Sequence, residues 1–329
     1  MRCLLVERQD EKGDVERQIT DIPIERLPEG DVLIRVVYSS MNYKDALAAQ
    51  GHPGVAAKLP HVPGIDAAGV VEESSHAGIA AGDAVLVTGY ELGSGRWGGW
   101  SEYVRVPGEW VVPLPKTLSP LDAMTLGTAG FTAAQCVLSL QHHGANADKG
   151  PVVVTGATGG VGSLAVMLLA HLGYHVAAVT GKTERHDWLK QLGAAEFLGR
   201  ADVDDTSGRP MLKARWAGAV DTVGGNTLVT LLKSLTHRGC VAACGLVGGT
   251  DLPMTVYPFL LRGVTLDGID SAQCPRPARE RIWELLSGEW KPERLAEIRT
   301  VVSLDQLEEQ IQTILKGQIA GRVVVDMNA

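Results

Sequence analysis

The sharpest chemical signal in this chain is Thr155-Gly156-Ala157-Thr158-Gly159-Gly160-Val161-Gly162, directly after the apolar run Val152-Val153-Val154. Glycines at that spacing, closing a strand and opening a helix, form the backbone turn that receives a dinucleotide pyrophosphate. Ala157 stands in place of the first glycine of the G-x-G-x-x-G pattern, and the chemistry survives that change. Gly159 lets the backbone approach the phosphates, Gly162 lets the helix pack on the strand, and the helix N-terminus supplies N–H groups and a positive dipole. Thr158, Gly159, Gly160 and Val161 are therefore expected to hold the cofactor.

About twenty residues further on, NAD enzymes place an acid against the ribose 2'-hydroxyl. Here the second strand ends at Thr180-Gly181-Lys182, a hydroxyl, a close-approach glycine and a cation. That set suits the 2'-phosphate of NADPH, with Arg200 after the next short strand as a second cation. Glu184 is either that acid displaced or the start of the next helix, and the helix is the preferred reading.

Metal chemistry finds no matching pattern: there is no His-Glu-x-x-His, and His142-His143 reads as a solvated pair where a helix ends. Cys240 and Cys244 are the only close cysteine pair. They lie in a stretch that reads as a buried strand, where packing is their expected role. Without a Lewis acid to polarise a ketone, the residues suit hydride delivery to an alkene conjugated to a carbonyl. Charge then spreads into an enolate that hydrogen-bond donors can hold.

These groups need a frame. From Pro151 onward short Val- and Ala-rich strands alternate with helices ended by glycine, such as Val161 to Leu172 before Gly173. That rhythm predicts an α/β fold, a doubly wound parallel sheet of Rossmann type. Before about Val112, apolar runs separated by turns such as Leu27-Pro28-Glu29-Gly30 predict a mostly β domain. Ser119 and Pro120 read as the N-cap and first residue of a helix that continues through Phe131 to Leu140. After Val264 the pattern breaks up, until the amphipathic stretch Leu304 to Lys316 and the closing strand Gly321 to Asp326. The expected division is residues 1–117, 118–265 and 266–329, the last completing the first domain.

Bulk properties agree with a two-domain enzyme. The chain has 329 residues, 45% of them hydrophobic and 21% charged, so each domain can bury a core of its own. Acids and bases are mixed to a net charge of -8, which argues against nucleic acid or an anionic membrane as partner. The N-terminus is charged within a few residues and reads as a strand, not a signal peptide. The richest apolar run, Ser163 to Leu172, falls short of a membrane span. Five scattered cysteines fit a reducing compartment, and the expected location is the cytoplasm.

The whole chain resembles the medium-chain dehydrogenase/reductase superfamily, in its zinc-free quinone-oxidoreductase-like branch, and within it the acryloyl-CoA reductase (NADPH) family. The matching segments include Ser39-Ser40-Met41-Asn42-Tyr43-Lys44-Asp45-Ala46-Leu47, Pro63-Gly64-Ile65-Asp66, Gly127-Thr128-Ala129-Gly130-Phe131-Thr132-Ala133, the glycine loop, Asp221-Thr222-Val223-Gly224 and Gly268-Ile269-Asp270-Ser271. Zinc-dependent relatives carry a cysteine near Asn42-Tyr43 and a Gly-His-Glu near Gly64-Ile65-Asp66, and neither is present. The loop from Glu91 to Trp110, which in such relatives bears a four-cysteine zinc, has no cysteine.

The resemblance implies a GroES-like β catalytic domain beside the Rossmann domain, an active site in the cleft between them, and a homodimer. It implies cofactor contacts from Tyr43, Thr158 to Val161, Thr180 to Lys182, Arg200, Leu246, Leu260, Ser271 and Arg322. Tyr43 is then the catalytic candidate, orienting the nicotinamide or donating a hydrogen bond to the enolate. Asp45 reads as a helix cap, and Asp66 as a residue that only bonds backbone. The implied reaction is NADPH-dependent reduction of acryloyl-CoA, a CoA thioester, to propionyl-CoA without metal. A quinone or general enone reductase shares every cofactor motif, and a non-catalytic NADPH-binding protein is the reading from another class.

Overall fold

Short β-branched runs joined by glycine-ended helices predict strands and crossovers from residue 151 to residue 244, and the computed structural model, which describes residues 1–8 and 14–329, has them there and adds a helix and a strand at Tyr257–Arg262 and Thr265–Gly268. In chain order the elements begin with β1 (Arg2–Arg8), β2 (Val15–Asp21), β3 (Val32–Met41), α1 (Tyr43–Ala49), β4 (Asp66–Ser74), β5 (Ala84–Thr88), β6 (Tyr103–Val106) and β7 (Val112–Pro113). Next come α2 (Pro120–His142), β8 (Val152–Val154), α3 (Gly160–His171), β9 (Val176–Val179), α4 (His186–Gln191), β10 (Glu196–Leu198) and β11 (Trp216–Asp221). Then follow α5 (Gly225–Ser234), β12 (Leu235–Ala243), α6 (Tyr257–Arg262), β13 (Thr265–Gly268), α7 (Arg276–Ser287), β14 (Arg299–Ser303), α8 (Leu307–Leu315) and β15 (Arg322–Asp326).

The chain divides into two compact units. One comprises Met1–Thr128, Ala272–Ser287 and Leu295–Ala329, the other Ala129–Ser271 and Gly288–Arg294. The first break falls at Thr128, beyond the expected residue 117, because α2 does not run straight from its cap. Ser119 Oγ accepts the Asp122 N–H at 3.0 Å, as an N-cap should, but the helix is interrupted at Gly127, whose φ of 49° and ψ of -156° are not helical. Residues 118–127 thus stay with the first unit.

In that first unit β3 is the organising strand. It pairs antiparallel with β4, β6 and β15, and the larger sheet runs β14-β15-β3-β4-β5-β7. The C-terminal strand bonds next to β3 in the register Val323↔Met41 and Val325↔Ser39, so the return of the chain completes this sheet. Apolar side chains fill both faces: Val32, Ile34, Val85 and Val104 on one side, Met41, Trp100, Leu307 and Val323 on the other. The helix α7 is not legible in the charged stretch Arg276-Pro277-Ala278-Arg279-Glu280-Arg281. Its Arg279 is buried and donates to the Thr88 carbonyl at 2.6 Å and the Ala272 carbonyl at 3.1 Å.

The second unit is a six-stranded parallel sheet in the order β10-β9-β8-β11-β12-β13. Chain order reverses between β8 and β11, and at such a switch point the loops after the strands splay apart and leave a ligand crevice. The central strands are buried on both faces, as Val152-Val153-Val154 and the 0% exposure of Ala219 and Val241 show, while the edge strands β10 and β13 are partly exposed. The 23-residue α2 is long and apolar enough to cross a membrane by composition, which the sequence reading did not single out, yet 83% of its apolar window is buried inside the protein. It is a core helix here.

The amphipathic helix α5 lays Leu231 and Leu232 under this sheet beside Val153, Ala219 and Val241. Leu231 is fully buried. Truncation of Leu231 to Ala is expected to cost about 2–5 kcal/mol through lost burial and the cavity left behind. A fall in the urea midpoint of the transition that reports the second unit checks this.

Candidate active site

Helix α3 starts at Gly160 with Gly159 as its N-cap, so the helix N-terminus opens directly from the glycine loop. Gly156 has a φ of 57°, in the left-handed region that favours glycine. A Cβ on Gly162 would collide with the Gly156 carbonyl, whereas one on Gly159 would meet only that carbonyl, at 3.3 Å. The third glycine therefore serves close packing and the second leaves the backbone open, as the pattern requires. Thr158 is buried, and Gly160 and Val161 form the first helical turn.

Beneath the loop, buried Asp221 at the end of β11 accepts the Thr155 hydroxyl at 2.6 Å and the Gly224 N–H at 2.8 Å. Thr222 returns the contact, donating its hydroxyl to the Thr155 carbonyl at 2.9 Å. The two strand ends that flank the switch point are thereby tied together. Burial raises the Asp221 carboxyl above its ordinary pKa, while these donors pull it back down.

Beside it, β9 and β10 pair Val179 with Leu198, so the segments that leave them are neighbours. Thr180 N–H continues the ladder to the Leu198 carbonyl at 3.0 Å, and the Thr180 hydroxyl accepts the Lys182 N–H at 3.0 Å. Arg200 lies across Gly181: a Cβ there would sit 2.8 Å from the Arg200 Nε. Thr180, Gly181, Lys182 and Arg200 are thus brought together. The Lys182 ammonium is held below its ordinary pKa by partial burial, by Arg185 and by Arg200, with Glu184 acting in the opposite direction. A concentration of positive charge beside an open glycine and a hydroxyl fits a phosphate on the adenine ribose.

In the first unit Tyr43 is the first residue of α1 and 43% exposed. The residue before it is the hub of a buried polar network that the sequence reading missed. Asn42 Nδ2 donates to Asp66 Oδ2 at 2.9 Å and to Asp45 Oδ2 at 3.1 Å, and its Oδ1 accepts from Arg322 Nη1 at 3.2 Å. Asp66 does more than bond backbone. It accepts the Ser40 hydroxyl at 2.6 Å, the Thr128 hydroxyl at 2.6 Å and the Thr128 N–H at 3.0 Å, and lies 3.9 Å from Arg322 Nη2. Gly127 is fixed by the same centre, because a Cβ on it would come within 2.6 Å of Asp66 Oδ2.

Asp45, read as the start or cap of a helix from Ala46 to Gln50, is instead the third residue of α1, whose N-cap is Asn42; it closes the capping box by accepting the Asn42 N–H at 2.7 Å and also takes the Gly64 and Ile65 N–H groups at 3.1 and 2.8 Å. Arg322, expected at the cofactor, is 2% exposed and finds its side-chain partners within the first unit. Its donors go to the Thr125 and Met41 carbonyls, Asn42 Oδ1 and Ser40 Oγ. Leu246, in the segment after β12, and Leu260, in α6, are exposed at 64% and 75%. Ser271 is half-buried in the segment after β13. A signal for the missed network was present in Asp66, an acid inside the otherwise apolar run Val62 to Val71, because such an acid is buried only with partners. Among the described residues, no group of three or more His, Cys, Asp or Glu side chains is arranged to hold a metal.

Comparison with known proteins places these features in context. Residues 28–116 match the Alcohol dehydrogenase GroES-like domain, and residues 160–287 match the domain described as Zinc-binding dehydrogenase. An acrylyl-CoA reductase of Ruegeria pomeroyi is 46% identical over 99% of both chains. A putative quinone oxidoreductase of Bacillus subtilis is 48% identical over 99% of this chain and all of its own, and its structure with NAD bound superposes with a TM-score of 0.95. An oxidoreductase of Salmonella enterica, solved in complex with NADP, is 44% identical, covers 99% of this chain and 100% of its own, and gives a TM-score of 0.96.

The buried acid beside Tyr43 has a measurable signature. Burial, and then the charge of Asp66, push the Asp45 carboxyl up to about 7 from an ordinary 3.8, against the pull of its N–H donors. Between those two values the folded protein binds a proton that the unfolded chain has released, so this group's contribution to stability falls as pH rises from about 4 to about 7 and then levels off. Asp45→Asn is expected to remove that slope. It also turns an amide N–H₂ toward N–H donors, at a cost of about 1–3 kcal/mol. Urea midpoints for both proteins across pH 4.5 to 8 check the two effects.

Proposed function

From the membership of this chain in the acrylyl-CoA reductase family of the medium-chain dehydrogenase/reductase superfamily, we propose that it reduces acryloyl-CoA to propionyl-CoA with NADPH and without metal. The observation that carries the substrate is the 46% identity, end to end, with a relative of that name. The cofactor reading is supported by the cations at the end of β9 and β10, where an NAD enzyme would place an acid.

Each group then has a task. The N–H groups of Thr158 to Val161 meet the pyrophosphate at the N-terminus of α3. Thr180, Gly181, Lys182 and Arg200 receive the 2'-phosphate. Leu246, Leu260 and Ser271 contribute cofactor contacts, with Arg322 acting through its hold on Asn42. When bound, the nicotinamide supplies the hydride that adds to the β-carbon. Tyr43 donates a hydrogen bond to the thioester oxygen as it gains charge, and a proton from Tyr43 or water completes the α-carbon. The balance is one hydride and one proton across the double bond, with no group leaving. The catalytic contribution of the protein is positioning and enolate stabilisation.

The second reading, a quinone or general enone reductase, is favoured by the relative from Bacillus subtilis and shares the same cofactor site. We further assign the protein to the cytoplasm and to a homodimer. Initial rates on acryloyl-CoA, crotonyl-CoA and a quinone, each with NADPH and with NADH and with or without chelator, separate the readings. Acryloyl-CoA with NADPH is expected to be fastest and insensitive to chelator, and a quinone that consumes NADPH while acryloyl-CoA does not would overturn the proposal. Tyr43→Phe is expected to lower kcat by about 100- to 1000-fold, as removal of one charge-stabilising donor does.

A further inference from the structure

The cation cluster at the end of β9 does not stop at the residues that motif reading assigns to it. A 3₁₀ turn, Thr183–Arg185, follows Lys182 before α4 begins at His186. It is closed by the Arg185 N–H donating to the Lys182 carbonyl at 3.0 Å. That bond fixes the Arg185 backbone one turn from Lys182, and Arg185 is the strongest charge acting on the Lys182 ammonium. The other wall is Arg200, packed over Gly181 on the neighbouring strand's exit. Both arginines are exposed, so their charges are open to a ligand from solvent.

Resting on the NADPH reading above, we propose that Arg185 is a third cation of the 2'-phosphate subsite and that Glu184, one residue before it, sets how strongly the subsite prefers NADPH to NADH. The dianionic phosphate meets positive charge from three segments: the end of β9, the turn after it and the exit of β10. Glu184 is the one acid of this turn, and Lys182 registers both of its neighbours: Arg185 disfavours its charged form and Glu184 favours it. An acid within electrostatic reach of the phosphate weakens NADPH, whereas a neutral 2'-hydroxyl is not repelled by it. Selection for NADPH is thus a balance of Lys182, Arg185 and Arg200 against Glu184.

Direct binding measures this without turnover. Dissociation constants for NADPH, NADH, 2',5'-ADP and 5'-AMP are determined by calorimetry for the wild type and for Arg185→Ala, Arg185→Lys and Glu184→Gln. Arg185→Ala is expected to weaken NADPH and 2',5'-ADP by about tenfold, the effect of losing one charge-assisted contact, and to change NADH and 5'-AMP by less than about twofold. Arg185→Lys is expected to recover part of the loss, and Glu184→Gln to tighten NADPH by about threefold. A wild-type preference for NADPH that survives Arg185→Ala unchanged overturns the inference alone. A wild type that binds the two cofactors equally overturns the NADPH reading itself, and the inference with it.

Discussion

A guanidinium that is 2% exposed must satisfy its N–H groups without water, and the first unit is arranged around that need. Arg322 comes from the last strand, yet its partners come from the end of β3, from Asn42 at the start of α1 and from the first half of α2. Asp66, from β4, supplies the countercharge, and burial pulls the guanidinium pKa down while Asp66 and then Asp45 hold it up. Two buried charges repay their desolvation only when the remaining donors and acceptors are also met. Here they are met, by two carbonyls, two hydroxyls and an amide. Asn42 is caught between both carboxylates and the cation, so α1 can start only there, with Tyr43 as its first residue. The place of the candidate catalytic side chain is therefore a consequence of a charge pair that never touches solvent.

The second unit solves a related problem the opposite way. Its buried acid, Asp221, accepts from neutral donors on Thr155, Val223 and Gly224. That acid faces inward and ties β8 to β11, while N–H groups and cations are presented at the carboxyl ends of the strands. An anion approaching this edge meets positive potential from a helix N-terminus and from Lys182 and Arg200, and the nearest buried negative charge is already engaged. The glycines matter for the same reason. Gly162 and Gly181 each sit where a Cβ would displace a neighbour, Gly156 in one case and Arg200 in the other.

How much of this the sequence carried differs between the two units for physical reasons. Cofactor loops obey local rules, because a strand, a glycine turn and a helix N-terminus are contiguous in the chain. Gly159, Gly162, Thr180 and Lys182 could accordingly be read from spacing. The polar centre around Asn42 joins residues 40, 42, 45, 66, 125, 128 and 322, and no spacing rule connects positions so far apart. Asp66 looked like a turn residue because the side chains and N–H that donate to its carboxylate lie 24 to 62 residues away, and its countercharge Arg322 farther still. Helix α4 began later than expected because Thr183–Arg185 turns as a 3₁₀ segment, which propensity does not distinguish from the first turn of an α-helix. The break in α2 was hidden for another reason: glycine inside a helical pattern is tolerated, and only its tertiary neighbours decide whether it bends the chain.

The position where zinc-bearing relatives place a histidine shows what replaces that chemistry. Ile65 offers a hydrocarbon side chain, and its contribution is main chain: its N–H is spent on Asp45 Oδ1 at 2.8 Å. Asp66, at the place of the following glutamate, is committed to Ser40, Asn42, Thr128 and Arg322. Residues that would face a metal in those relatives here brace the start of α1. Stabilisation of a developing enolate must then come from hydrogen-bond donors, each worth roughly 10²–10³ in rate when well placed and much less when misplaced by an ångström. A catalyst of that kind depends on the rigidity of what holds the donor, and in the proposed reaction the buried Asp66–Arg322 network holds the start of α1.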